Sequence, residues 1–271
     1  MKLKESLKHI LTKKELELLP SSFDIVGDIL IFADFPAGLA KKEKKIGDTI
    51  LSLYKNVSVV CKKTKKYSGK YRLPSLKIIA GARRKETLHK ENNISIKLNV
   101  ERVYFSPRTS TERKRINTLI KSEKILVMFS GSGVYPINIS KNSPAREIMG
   151  IEINPIAHKY ALDNLKLNKI DNVKLFLGDV NALLPKIRTK FDRILMPLPK
   201  GAEDYLILAL SKLKKKGIVH FYTFLNELEI NIPFVKKYFK FACKKFKILN
   251  IQKCGQFSPR VFRVCIDMQV L

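Results

Sequence analysis

The sequence predicts an α/β protein in two parts. A smaller α+β domain is expected over residues 1–100, and a Rossmann-like, doubly wound sheet over residues 101–271. Three observations predict this. From about Ser106, apolar runs alternate with stretches of helical period, the pattern of repeated βαβ units. One run, residues 124–128, meets the small-residue turn Ser130-Gly131-Ser132-Gly133, as a buried parallel strand does when it hands over to a helix. Before residue 100, short strand-like runs follow one another with few helices between them, which suits antiparallel pairing. With 271 residues and 45% hydrophobic content, the chain can bury a core, and a wholly disordered protein is excluded.

The elements follow in order. Residues 4–19 carry Leu7, Ile10, Leu11, Leu16 and Leu18 among charges and predict one or two short amphipathic helices, stopped by Pro20-Ser21-Ser22. Residues 23–32 read as strand, broken at Gly27-Asp28. A helix is expected over 41–54 and a strand over 57–61. Residues 62–72 form a basic loop holding Tyr67 and Tyr71. Such a loop either meets RNA, phosphates on lysine and bases on rings, or is a solvated hairpin loop. Strands are expected at 76–80, 94–98 and 103–105, with a turn at 89–93.

In the second part, helices are expected near 111–121, 154–167, 202–213 and 232–246. Strands are expected at 173–180, 191–199 and 217–222, and a terminal strand pair at 246–251 and 261–270. Gly131 and Gly133 lack Cβ, so the backbone there can approach a ligand. Glu152 ends the next apolar run, where it can accept hydrogen bonds from ribose hydroxyls. Asp179 follows the third strand, within reach of an adenine amine, and Pro197-Leu198-Pro199 ends the fourth. These pieces predict an adenosine-containing cofactor. Pro136 stands where a dinucleotide fingerprint has its third glycine, which tells against a nicotinamide.

Lys+Arg is 53 against Asp+Glu 24, a formal net charge of +29. Either the partner is a polyanion, nucleic acid before membrane, or a lysine-rich composition charges every surface. Cys61, Cys243, Cys254 and Cys265 form no C-x-x-C pair, so they read as buried small hydrophobes in a reducing compartment, with no metal site. No signal peptide opens the sequence and no apolar run reaches membrane-spanning length, so the expectation is a cytoplasmic protein without a membrane partner.

Glycine turn, strand-end Glu, strand-end Asp and strand-end proline pair, in that order, resemble a class I, seven-stranded S-adenosylmethionine-dependent methyltransferase. Phe105-Ser106-Pro107-Arg108, Thr111-Glu112-Arg113, Glu152-Ile153-Asn154-Pro155 and Met196-Pro197-Leu198-Pro199-Lys200-Gly201-Ala202-Glu203 are more specific. They resemble the archaeal and eukaryotic-type tRNA (guanine-37-N1)-methyltransferases, a group in which a relative methylates C7 of 4-demethylwyosine. Tyr71-Arg72-Leu73-Pro74 and Ile79-Ala80-Gly81 extend the likeness through the first domain. The resemblance implies S-adenosylmethionine as cofactor, no metal, a tRNA-binding first domain, the anticodon arm of tRNA as partner and a monomeric enzyme. Departures are Val127 where the family has Asp, Pro197 where it often has Asn, and an expected lack of the small domain that grips the tRNA elbow. Pro197 is similar to the wyosine-linked subgroup.

The resemblance also assigns residues. Glu112 is the expected base for the guanine N1 proton, although Thr109-Ser110-Thr111-Glu112 equally spells a capping box. Arg72 is expected to stabilise charge on the purine O6. Arg113 stands near the methionine carboxylate. Phe129, Ser130, Ile153, Val180 and Pro197 line the cofactor pocket with Glu152 and Asp179. Arg108, Pro197, Leu198 and Pro199 face the substrate. Asp163, Asp171, His158 and His220 are expected to be structural. Two rivals stay open: an aminocarboxypropyl transferase of wyosine synthesis, and a non-catalytic tRNA-binding protein with a degenerate cofactor fold.

Overall fold

A computed structural model describes residues 2–198, 200–242 and 245–271; Pro199, Cys243 and the side chain of Tyr67 lie outside the described residues. Contacts divide the chain into two compact units, Met1–Lys90 with Ser95–Pro107, and Glu91–Ile94 with Arg108–Leu271.

The first unit opens with helices α1 (Lys2–Ser6) and α2 (Lys13–Leu18). Thr12 and Glu15 form a reciprocal capping box at the start of α2. Strands β1 (Asp24–Val26) and β2 (Ile29–Phe32) pair antiparallel across Gly27, whose φ of 57° only glycine holds without strain. Helix α3 (Glu43–Leu53) follows, then strands β3 (Val59–Ser68) and β4 (Leu73–Gly81). The sheet order is β1-β2-β3-β4, with β2 and β3 parallel. Leu7, Leu30, Phe32, Leu39, Ile46, Ile50 and Val60 are buried in its core. Strands β5 (Glu86–Glu91) and β6 (Ile94–Asn99) form a separate hairpin.

Three expectations are corrected here. The basic run after Cys61 is strand rather than loop: β3 continues to Ser68, paired with β4 as far as Leu73, and the turn is confined to 69–72. Backbone pairing needs no apolar side chains, and lysine stems can lie along a sheet with their ammonium groups in water. The turn expected at 89–93 shrinks to Asn92 and Asn93, with φ of 42° and 63°, so His89, Lys90 and Glu91 belong to β5. Two left-handed asparagines close a tight hairpin of the kind that matches strand twist. Residues 103–105 form no strand; Val103 is drawn into a turn by its N–H donating to the Asn99 carbonyl.

The second unit is a seven-stranded doubly wound sheet, as expected. Its elements are α4 (Ser110–Leu119), β7 (Lys124–Met128), α5 (Val134–Asn142), β8 (Glu147–Glu152), α6 (Pro155–Asn168), β9 (Val173–Leu177), α7 (Val180–Leu183) and β10 (Phe191–Met196). They continue with α8 (Leu206–Ser211), β11 (Leu213–Asn226), α9 (Ile232–Phe239), β12 (Phe246–Ser258) and β13 (Val261–Val270). The strand order is β12-β13-β11-β10-β7-β8-β9. β13 runs antiparallel to both β11 and β12, while β10, β7, β8 and β9 pair parallel. Leu126, Met128, Ile151, Ile194, Met196, Phe221 and Ile266 are buried in one continuous core. Among the described residues, no helix is long and apolar enough to cross a membrane.

Candidate active site

After β7 the chain steps to β8 and β9 on one side, and β10 lies on the other. The C-terminal end of β7 is therefore the topological switch point, where open α/β sheets bind ligands. The turn there is forced by three left-handed residues: Phe129 at φ 60°, Gly131 at 58° and Gly133 at 81°. Phe129 pays for this in strain, being neither glycine nor asparagine. A Cβ on Gly133 would stand 3.1 Å from the Ala161 Cβ and from Ile137 Cδ1, so glycine also lets the start of α5 approach the middle of α6.

Glu152, at the tip of β8, braces the turn. Its Oε2 accepts from the Gly131 N–H at 2.6 Å and its Oε1 from the Asn154 N–H at 2.8 Å. Burial raises its proton affinity above the ordinary carboxylate range, against the pull of the Asn154, Gly131 and Ile153 backbone donors. Asn154 then caps α6, accepting from Ile156 and Ala157. Ser130 is buried, and its N–H donates to the Ile151 carbonyl. Ser132 Oγ, in the same turn, is buried with no hydrogen-bond partner in the protein. A strained turn with an unmatched hydroxyl and a buried carboxylate fits the polar edge of a nucleoside.

The next strand ends complete this edge. Asp179 caps α7, accepting from the Asn181 N–H at 2.8 Å, and Val180 is buried behind it. At the end of β10, the Leu198 N–H bonds back to the Met196 carbonyl at 2.7 Å, a tight turn about Pro197. Pro197 and Leu198 are half-buried. Phe129 meets Tyr205 edge-on, ring centroids 5.0 Å apart.

Helix α4 carries the other candidates. Arg108 is exposed in the turn before it. The capping box is not formed: Thr109, at the N-cap, makes no side-chain cap bond, and its hydroxyl instead accepts from Arg113 Nη1 at 2.5 Å. Glu112 is 5% exposed and turns inward. It accepts from Arg115 Nε at 2.7 Å and Nη2 at 2.8 Å, and from the Tyr222 hydroxyl at 2.9 Å. Arg113 is 2% exposed, and its guanidinium forks onto both oxygens of Glu91 at 2.5 Å and lies 5.8 Å from the Tyr135 ring. Tyr135, two residues past Gly133, has its hydroxyl 3.3 Å from that of Tyr222. One chain of contacts thus runs from the glycine turn through Tyr135 and Tyr222 to Glu112.

Behind Glu112 lies a network that sequence reasoning missed. Arg115 also donates to Asp267 at 2.7 and 3.2 Å. Asp267 pairs with His220 Nδ1 at 2.6 Å, and His220 Nε2 meets Arg193 Nη1 at 2.6 Å. Arg193 forks onto Glu123 at 2.6 and 3.0 Å and donates to the Leu119 carbonyl at 2.8 Å. A guanidinium can only donate, so His220 Nε2 accepts and its Nδ1 carries the proton. His220 is therefore neutral, in line with burial pushing its pKa down. Burial would raise the Asp267 carboxyl, but hydrogen bonds from His220 and Arg115 hold it well below the usual range. His220, Cys265 and Asp267 gather within 4.8 Å, but Arg115 and Arg193 bear on this group, which reads as a hydrogen-bonded cluster. The Glu112–Arg115 spacing of three was a readable signal; Asp267 and Arg193, charged residues inside apolar strands, were another.

Arg72 belongs to the first unit, at φ 51° in the β3–β4 turn, with its N–H donating to the Gly69 carbonyl at 3.1 Å.

Residues 87–251 match the family described as TRM5/TYW2 methyltransferase domain, and residues 3–84 that described as TYW2 N-terminal domain. The chain is 38% identical to tRNA (guanine(37)-N(1))-methyltransferase Trm5b of Pyrococcus abyssi, over 93% of this chain and 76% of the relative. It is 35% identical to tRNA (guanine(37)-N(1))/4-demethylwyosine(37)-methyltransferase Taw22 of Nanoarchaeum equitans, over 92% of this chain and 100% of the relative. The solved complex of aTrm5 and tRNALeu superposes with a TM-score of 0.86 at 28% identity, covering 98% of this chain and 76% of that one.

Proposed function

Since the chain belongs to the TRM5/TYW2 methyltransferase family, we propose that it is a tRNA methyltransferase acting on the purine at position 37. The target is N1 of guanine, C7 of 4-demethylwyosine, or both. The observation that carries the reading is the contact chain from the glycine turn to Glu112, which ties a nucleoside-binding edge to a buried carboxylate.

S-adenosylmethionine, when bound, supplies a methyl group already activated on a sulfonium. Glu152 holds the ribose and keeps the turn in shape. Asp179 and the Val180 backbone take the adenine, with Phe129, Ser130, Ile153 and Pro197 as walls. Arg113 serves the methionine carboxylate by sharing the guanidinium that Glu91 now holds. Glu112 accepts the N1 proton of guanine, a transfer worth about 10²- to 10⁴-fold. Arg72 stabilises the charge this leaves on O6. Arg108, Pro197, Leu198 and Pro199 contact the base.

We place the tRNA-binding domain at residues 1–100 and the methyltransferase domain at 101–271. The basic β3–β4 hairpin and the net charge of +29 support contact with the anticodon arm. The reading is of a cytoplasmic monomer. Single-turnover assays on tRNA carrying G37, and on tRNA carrying the wyosine precursor, test it, with mass spectrometry of the nucleoside. One added carbon is expected; four would indicate the aminocarboxypropyl transferase. No transfer to either tRNA, with tRNA binding intact, would leave only a binding protein.

A further inference from the structure

Arg115 is shared between two buried carboxylates. Its Nε and Nη2 serve Glu112, and its Nη1 and Nη2 serve Asp267. The side chains of Glu112 and Asp267 are 3% and 4% exposed, so neither has water to replace a lost donor. Asp267 is itself gripped by His220, and His220 by Arg193, which Glu123 anchors. The connected network therefore holds Glu112, Asp267 and Glu123 against Arg115 and Arg193, with His220 neutral. Arg115 is thus the hydrogen-bonded link between the two buried carboxylates.

We propose that Arg115, backed by Asp267 and His220, is the positioning residue of Glu112: it fixes the carboxylate toward the substrate and shifts onto Asp267 as Glu112 takes the proton. This rests on the function proposed above. In that step the N1–H bond of guanine breaks and an O–H bond forms on a Glu112 carboxyl oxygen. With S-adenosylmethionine bound, the electron pair left on N1 would form the new N–C bond as the methyl–sulfonium bond broke and its pair went to sulfur, which leaves as a neutral thioether; nothing is oxidised or reduced. Protonated Glu112 is neutral and binds a guanidinium weakly, whereas Asp267 stays ionised and receives it in full.

Every other charged or titratable group facing Glu112 fits this arrangement. From β11, Tyr222 donates its hydroxyl, and burial keeps that phenol protonated far above its usual range. From α5, Tyr135 is pushed the same way by burial. From β12 and β13, the thiols of Cys254 and Cys265 are pushed up by burial and stay neutral. Arg263 of β13 lies over the Tyr222 ring at 5.7 Å. Arg115 alone is a cation bonded to Glu112 among the described contacts.

The test is the pH profile of single-turnover methyl transfer to G37-tRNA in the full chain, with melting temperature and cofactor affinity measured beside it. Arg115→Gln removes a cation from beside a carboxylate, so the acid limb should move up by about one pH unit or more. Asp267→Asn removes the rival acceptor, so Arg115 stays on Glu112. The limb should then move down and the plateau rate fall. Opposite shifts are a signature that a merely structural role does not produce. Should Arg115→Gln not fold, Arg115→Lys keeps the charge without the fork. Its limb should stay in place while the plateau drops at least about tenfold from lost orientation. Folded variants whose profiles superpose on the wild type overturn the proposal. Glu112→Gln separates the two layers. If it runs at the wild-type rate, the base assignment itself fails; if it is inactive while the other profiles superpose, only the role of Arg115 fails.

Discussion

Replacing Glu152 by glutamine should loosen the glycine turn and the cofactor together. Both carboxylate oxygens are in use, one on the Gly131 N–H at 2.6 Å and one on the Asn154 N–H at 2.8 Å. Glutamine offers one acceptor oxygen and turns an N–H₂ toward the other donor. One charge-assisted hydrogen bond is lost, worth about 1.5–3 kcal/mol. At about 2–4 °C per kcal/mol for a unit of this size, melting should fall by about 3–12 °C. The ribose hydroxyls meet the same weakened acceptor, so S-adenosylmethionine affinity should fall about 10- to 150-fold. The pH dependence has a definite sign. Burial raises the Glu152 carboxyl, so the folded chain binds its proton more tightly than the unfolded one. Its contribution to stability is therefore favourable at low pH and declines as pH rises from the ordinary carboxylate range through the raised folded value. The glutamine variant should lack that decline. Calorimetric titration and thermal melts from about pH 4 to about pH 8, spanning the range in which carboxylates titrate, read all three effects. Unchanged affinity with an unchanged melting curve would refute the role given to Glu152.

The other predictions concern the two units separately. Asp28 is held well below the usual carboxylate range by its hydrogen bond from Arg84, so its contribution is present above the unfolded pKa and lost as pH falls through the folded one. Asp28→Asn should flatten acid unfolding of the first unit followed by circular dichroism, and an identical acid transition would contradict this. tRNA affinity should fall steeply with salt as phosphate contacts release counterions, and a flat log–log plot would rule out the basic hairpin as a backbone contact. With Pro197 in place of asparagine, methyl transfer to precursor-containing tRNA should be at least as fast as to G37-tRNA in direct competition; exclusive use of G37 would reverse that ordering.

What the sequence exposed was set by local chemistry. The β7 run, its glycine turn and Glu152 are legible because strand, turn and strand end are contiguous and each needs a distinctive residue type. The doubly wound, seven-stranded class of the second unit follows from the alternation of its elements together with the family resemblance. The second half of β3 was hidden because it is lysine-rich, and backbone pairing with β4 leaves no apolar trace. β5 was hidden because His89, Lys90 and Glu91 are polar, although two asparagines after them marked the hairpin. Glu112 was legible as a candidate, but the cap alternative failed because Thr109 spends its hydroxyl on Arg113. The partner of Arg115 lies 152 residues away, and no local pattern announces a pairing at that range.

That distance has a consequence for when the enzyme becomes competent. Asp267 sits on β13, which inserts between β11 and β12. A ribosome makes α4, the glycine turn and the nucleoside edge well before it makes β13. Until that strand emerges, β11 is an open edge and Arg115 has only one of its two carboxylates. The glycine turn and the strand ends around it can form on a partial chain, whereas the second carboxylate held by Arg115 arrives last, so the buried surroundings of Glu112 are completed only when β13 is in place.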